Sequence, residues 1–282
     1  MPAETQIPLQ QISSQQISTQ QISQFQSDGV LLLRGVFRDW VDLLREGVAR
    51  NMADPGPNAK HYREDGSDAE FFGDYCNWQR IPEYRAFLFE SPAAAVAAAL
   101  TGSRSARLFH EHVLVKQPGA GTPTPWHQDQ PYYCIDGDQV CSLWLALDPV
   151  ARENSIEYIA GSHRWNKVFR PERFNRQPLY DNAEYEVLPD IDAERDSYDI
   201  RGWDIEAGDA IAFHFMTVHG APPNRSRTRS RRAFSSRWLG DDARFAVRPG
   251  ETSPPFPEVR LKHGDLPDHP SFPLVYPAAK RA

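Results

Sequence analysis

Two histidines and an aspartate stand where they could share one metal ion. His127 and Asp129 are two apart in Pro125-Trp126-His127-Gln128-Asp129, so on an extended backbone both side chains leave the same face. An imidazole nitrogen beside a carboxylate oxygen gives two adjacent ligands. His219 ends an apolar run and precedes a Gly-Ala-Pro-Pro-Asn turn. Two histidines and one carboxylate on one side of a metal leave positions open, the facial arrangement of non-heme iron(II) oxygenases. Those open positions are what a bidentate keto acid and then dioxygen need. Arg231 follows His219 by twelve positions, and its guanidinium fork suits the distal carboxylate of a dicarboxylic cosubstrate. An isolated H-x-D pair is a weak signal, because surface His–Asp pairs are common; the surrounding residues must raise the odds.

They do so as an ordered set: Lys116-Gln-Pro-Gly119, Trp126-His-Gln-Asp129, Val140-Cys-Ser-Leu-Trp144, Ala160-Gly-Ser-His163, His219-Gly220, Asn224-Arg-Ser226 and Arg231-Arg-Ala233. From residue 25 to about 240 the chain resembles the phytanoyl-CoA dioxygenase family of iron(II)- and 2-oxoglutarate-dependent oxygenases. The resemblance implies a mainly β, double-stranded β-helix (jelly-roll) core with flanking helices. It also implies His127, Asp129 and His219 as iron ligands, Arg231 on the distal carboxylate of 2-oxoglutarate, and Gln128 and Trp144 along the cosubstrate. The implied reaction consumes dioxygen, releases succinate and carbon dioxide, and hydroxylates a small organic substrate. The loop 225–230 is about a residue longer than the family's usual one, which leaves Arg229 and Arg232 as alternatives to Arg231. Asp129 argues against a halogenase, whose halide takes the place of that carboxylate. A non-catalytic β-helix protein holding a small molecule or a structural metal is the rival reading, and the complete ligand set argues against it.

Other candidates have plainer readings. His110 and His112 share a strand face and mimic a cupin H-x-H pair, but no downstream Glu-and-Gly pattern completes it, so packed histidines are expected. His163 is expected to fix a turn. Trp126, Tyr132 and Tyr133 flank the ligands, and Trp78 lies in the aromatic segment Tyr75-Cys-Asn-Trp78; these four are candidates for the wall of a dry substrate pocket.

Short strands must position these groups. The pattern predicts strands at Gly29–Gly35, 106–116, 139–147, 155–160, 209–219 and 231–239, with Pro, Gly and Asn turn signals between them. Helices are expected near 38–52 and 91–101. The proline-rich stretch 249–282 is expected to be irregular and to fold over the barrel. Residues 1–23, with three Gln-Gln-Ile-Ser units, read as a low-complexity tail ahead of one domain spanning 24–282.

Composition bounds the rest. The 282 residues are 40% hydrophobic and 24% charged, with a net charge of −7, enough material for a core and a poor match to nucleic acid or anionic membrane. The longest apolar stretch, Ala93–Leu100, is too short to span a bilayer. Three cysteines without a C-x-x-C pair set no disulfide framework, and a cytoplasmic location is expected.

Overall fold

The computed structural model describes residues 17–64, 66, 68–172, 177–180 and 182–277. The helices are α1 (Thr19–Asp28), α2 (Val41–Ala53), α3 (Pro82–Glu90) and α4 (Ala93–Thr101). The strands are β1 (Val30–Leu33), β2 (Lys60–Arg63), β3 (Glu70–Tyr75), β4 (Ala106–Lys116), β5 (Thr124–His127), β6 (Ile135–Asp136) and β7 (Val140–Ala146). They continue with β8 (Glu157–Ile159), β9 (Ile200–Arg201), β10 (Ala210–Phe213), β11 (His219–Ala221), β12 (Arg231–Leu239), β13 (Arg244–Phe245) and β14 (Leu274–Tyr276).

All the strand pairings are antiparallel. The large sheet runs β1-β10-β7-β12-β4-β3-β2, with β14 added to β4; the small sheet runs β5-β11-β8-β9. Strand periodicity sorts the large sheet into two faces. On β12, Phe234 and Trp238 join Leu143 and Leu145 of β7, Val113 and Val115 of β4, and the apolar sides of α2, α3 and α4 in one core. The alternate residues Arg231, Ser235 and Arg237 of β12, His110, His112 and Lys116 of β4, and Trp144 of β7 line a cavity toward the small sheet. This is the two-sheet, helix-backed jelly roll that the resemblance implied.

The differences from the expected elements have local causes. The run expected as one strand over 209–219 splits: β10 ends at Phe213, a turn carries Thr217 N–H to the His214 carbonyl (2.9 Å), and β11 begins at His219 in the other sheet. The expected boundary at residue 24 falls inside α1. Ser18 and Gln21 form a reciprocal capping box, Gly29 closes the helix at φ 68°, and Ile17 and Phe25 are buried in the core. The first 16 residues of the expected tail lie outside the described ones. The strands β2 and β3 and the helix α3 carried no signal strong enough to be read. The proline-rich end contributes β14, and its Val259 and Phe272 cover Phe109, Tyr133 and Phe215. No described helix is long and apolar enough to cross a membrane.

Candidate metal centre and its cavity

The crossover between sheets is what assembles the ligands. β11 lies between β5 and β8, with His219 directly opposite His127 on one side and Tyr158 on the other. The two imidazole centroids are 4.2 Å apart. Asp129 sits just past the end of β5, where its own N–H and that of Gln130 both bond to the Phe215 carbonyl in the crossover (2.8 and 3.1 Å). Asp129 Oδ1 is 3.6 Å from His127 Nε2 and 3.8 Å from His219 Nε2. One ligand atom from each of the three residues falls within 4.8 Å of the other two.

The hydrogen-bond pattern leaves the correct atoms free. His127 Nδ1 lies 2.8 Å from the Pro125 carbonyl, and His219 Nδ1 lies 2.9 Å from the Thr217 carbonyl. A carbonyl only accepts, so each Nδ1 carries the hydrogen and each Nε2 presents a lone pair. Burial, then the neighbouring His127, pushes His219 down to about 3, so its imidazole is neutral at physiological pH. Burial alone would raise the Asp129 pKa, but Arg237 and the two histidines hold it well below the usual carboxylate range. Asp129 Oδ2 accepts from Ser142 Oγ (3.3 Å) and faces Arg237 Nε (3.5 Å), while Arg237 Nε also donates to the Tyr133 hydroxyl. With Oδ2 occupied, Oδ1 is turned toward the histidines. Two imidazole nitrogens and an ionised carboxylate form the donor set that a divalent first-row cation takes.

The triad opens into a cavity of about 1120 Å³ between the sheets. Arg231, at the start of β12, lines it with its side chain buried; Nη1 donates to the Asn154 carbonyl, and no described carboxylate pairs with it. Burial lowers its pKa to about 10, a sign that the guanidinium is desolvated without a compensating anion. The two alternatives are placed elsewhere. Arg229 is exposed and outside the cavity lining, while Arg232 points to the other face of the strand and grips Asp148 with two bonds of 2.8 and 2.6 Å. Alternation along β12 separates Arg231 from Arg232, and position in the loop separates it from Arg229.

Trp144 lines the cavity. Gln128 is more constrained: both amide hydrogens go to backbone carbonyls, of Lys167 (3.0 Å) and Met216 (3.1 Å), and its oxygen accepts from Phe169 N–H (2.9 Å). It ties the 167–169 segment and the crossover to β5. Of the four aromatics expected at the pocket wall, Trp126, Tyr132 and Tyr133 line the cavity. Trp126 is anchored by Nε1 to Asp192 (3.0 Å), Tyr132 lies edge-on to His127 (5.7 Å), and the Tyr133 hydroxyl takes the Arg237 hydrogen bond. Trp78 does not reach it. Cys76 adopts φ 63°, which turns the chain after Tyr75, and Trp78 packs against Phe89 (5.3 Å) in the helix-side core. His163 contacts the Gln26 carbonyl (3.2 Å), away from the cavity.

Sequence reasoning missed Arg237; its even spacing from Arg231 along a strand was the available signal. Lys116 appeared only as part of a motif. It is buried opposite Arg231, bonds the Pro222 carbonyl (3.1 Å) and covers the Phe71 ring; burial, then Arg231, pushes it down to about 6.

Residues 25–233 match the phytanoyl-CoA dioxygenase (PhyH) family. This chain belongs to that family. Among curated relatives, it is similar to a probable phytanoyl-CoA dioxygenase of Caenorhabditis elegans, 24% identical over 200 residues, a match that covers 69% of this chain and 59% of the relative. The chain thus spans less than two thirds of that relative's length. Among solved structures, it resembles the non-heme α-ketoglutarate-dependent carbocyclase SnoK from nogalamycin biosynthesis, with a TM-score of 0.70 and 23% identity over 93% of this chain and 97% of SnoK. It also resembles the epimerase SnoN in complex with Fe3+, α-ketoglutarate and nogalamycin RO, with a TM-score of 0.71 and 20% identity over 91% of this chain and 97% of SnoN. At these identities the likeness is one of fold.

Proposed function

We propose that this chain is an iron(II)- and 2-oxoglutarate-dependent dioxygenase that oxidises, most simply hydroxylates, a small organic substrate. The observation that carries the reading is one cavity holding both a preset triad, His127, Asp129 and His219, and a buried arginine, Arg231, without a carboxylate partner among the described residues. Family membership supports it, and so does the likeness to SnoN, which was solved with Fe3+ and α-ketoglutarate.

Each part has a role under this reading. The triad would hold iron(II) through two Nε2 atoms and one Asp129 oxygen, leaving the cavity side of the metal open. Arg231, with Lys116 beside it, would receive the distal carboxylate of 2-oxoglutarate and fix the length of acid accepted. Trp144 would border that cosubstrate. Arg237 and Ser142 would keep Asp129 bound through a single oxygen, and Tyr133 would keep Arg237 in place. Trp126, Tyr132 and Tyr133 would exclude water from the reacting face. Bound iron and 2-oxoglutarate supply oxygen activation coupled to decarboxylation of the keto acid to succinate and carbon dioxide.

The test is an anaerobic titration with iron(II) and 2-oxoglutarate, followed by admission of air and assay of succinate. Saturable, mutually dependent binding at one site per chain and oxygen-dependent succinate release are expected. A chain that binds neither, or binds metal without any effect of 2-oxoglutarate, is instead the non-catalytic metal or small-molecule binder.

A further inference from the structure

The histidine pair of β4 divides into two unlike residues. His110 is packed: both ring nitrogens are buried without a hydrogen-bond partner among the described residues, and Phe109 (4.7 Å), Tyr133 (5.3 Å) and Tyr75 (6.3 Å) surround it. The expectation of packed histidines holds for that one. His112, two residues on and on the same face, keeps accessible surface, and that surface belongs to the cavity. Its ring forms no hydrogen bond with any described residue. Its fixed contacts are the edge of Tyr75 at 5.3 Å and the backbone of Gly73, where a Cβ would come within 3.2 Å of His112 Nε2. Opposite it on β12 stands Ser235, and the next inward-facing residue is Arg237, the neighbour of Asp129.

A polar ring in a protein interior is normally hydrogen-bonded, and leaving it unsatisfied costs about 1–3 kcal/mol. Burial, then Arg237, pushes the His112 pKa down to about 3, so the ring is neutral and offers one donor and one acceptor. That pair matches a hydroxyl or a carbonyl. The positive charge of Arg237 disfavours an ammonium group at the same place. Beyond His112 the floor continues through the partly exposed Tyr75 and Tyr62, whose ring faces suit a flat ring; Phe71 is buried beneath Lys116.

We propose that His112 determines specificity by hydrogen-bonding an uncharged oxygen substituent, hydroxyl or carbonyl, on a ring-bearing substrate whose body lies along Tyr75. The inference rests on the oxygenase reading and refines it.

The test uses the full chain under anaerobic conditions, after uptake of iron(II) and 2-oxoglutarate has been measured. The probes are 1-tetralone, 1-tetralol, tetralin and 1-aminotetralin, with affinities read by calorimetry. The ketone and the alcohol should bind the wild type on the order of tenfold more tightly than tetralin, the value of a buried hydrogen bond. The amine should show no such gain. His112→Phe should abolish the preference, and His112→Gln, which keeps a donor and an acceptor, should retain most of it. Normal uptake of iron and 2-oxoglutarate with no preference, no binding of either oxygenated probe, or a preference that survives His112→Phe overturns the assignment alone. Failure of that uptake overturns the oxygenase reading and this inference with it. Should His112→Phe not fold, the wild-type ranking and the Gln variant decide.

Discussion

Replacing Arg231 with leucine tests the cosubstrate site most directly. The guanidinium is buried at 7% exposure, has no carboxylate partner among the described residues, and has its pKa lowered to about 10 by desolvation. An incoming carboxylate would relieve that desolvation through a charge-assisted pair of bonds, worth on the order of 1.5–3 kcal/mol. At 1.4 kcal/mol per decade, the loss is about tenfold to somewhat over a hundredfold in 2-oxoglutarate affinity. Arg231→Leu also leaves the Asn154 carbonyl without its donor, so part of the cost will be in stability, and the melting temperature must be followed in parallel. The assay is a 2-oxoglutarate titration of the iron(II)-loaded, anaerobic protein, run beside Arg229→Leu and Arg232→Leu. Arg229→Leu, altered at an exposed position outside the cavity lining, should titrate like the wild type. Arg232→Leu breaks the Asp148 pair and should lower stability with little change in affinity. If Arg229→Leu weakens 2-oxoglutarate and Arg231→Leu does not, the placement of the loop preceding β12 is wrong and the reasoning fails with it.

Further outcomes follow from the same geometry. His219→Ala removes one of three ligands; because changes behind the ligands alone cost ~10–100-fold in metal affinity, this loss should exceed that range in an equilibrium metal titration, and stoichiometric iron in the variant would refute the triad. A chain beginning at Ser23 loses buried Ile17 and the Ser18–Gln21 capping box, together about 3 kcal/mol, and should melt ~6–12 °C lower; a shift under about 2 °C would show that α1 adds little. Glu111 is buried, and burial raises its pKa to about 8. A raised folded pKa means that its contribution is complete below the ordinary carboxyl range and is lost as pH climbs toward 8. Glu111→Gln should therefore flatten the decline in melting temperature between about pH 5 and 8; parallel wild-type and variant curves would exclude this titration as its source.

The sequence by itself singled out the candidate triad His127, Asp129 and His219, which the structure brings together, and most of the large sheet. H-x-D on an extended segment predicts two candidate ligands on one face; in the structure Asp129 lies just past β5 and is also set by the bonds of its N–H and that of Gln130 to the Phe215 carbonyl. The strands β4 and β12 were legible to the residue because long runs of alternating or apolar residues end at turn signals. Periodicity fails where elements are short or where the chain changes sheets. The 209–219 run reads as one strand because both of its halves are largely buried, so its pattern does not mark the crossover at 214–218 that brings His219 beside His127. Gly73 sits within the unread strand β3, and its meaning, room for His112, exists only once β3 lies against β4. Arg231 and Arg232 are equivalent as letters; which one faces the cavity depends on the register of β12 against β4 and β7. The same holds for Arg237, indistinguishable in sequence from a solvated arginine until strand pairing sets it against Asp129. Residue types fixed what chemistry was possible here, and strand register, a property of paired chains rather than of one, decided which residues can take part.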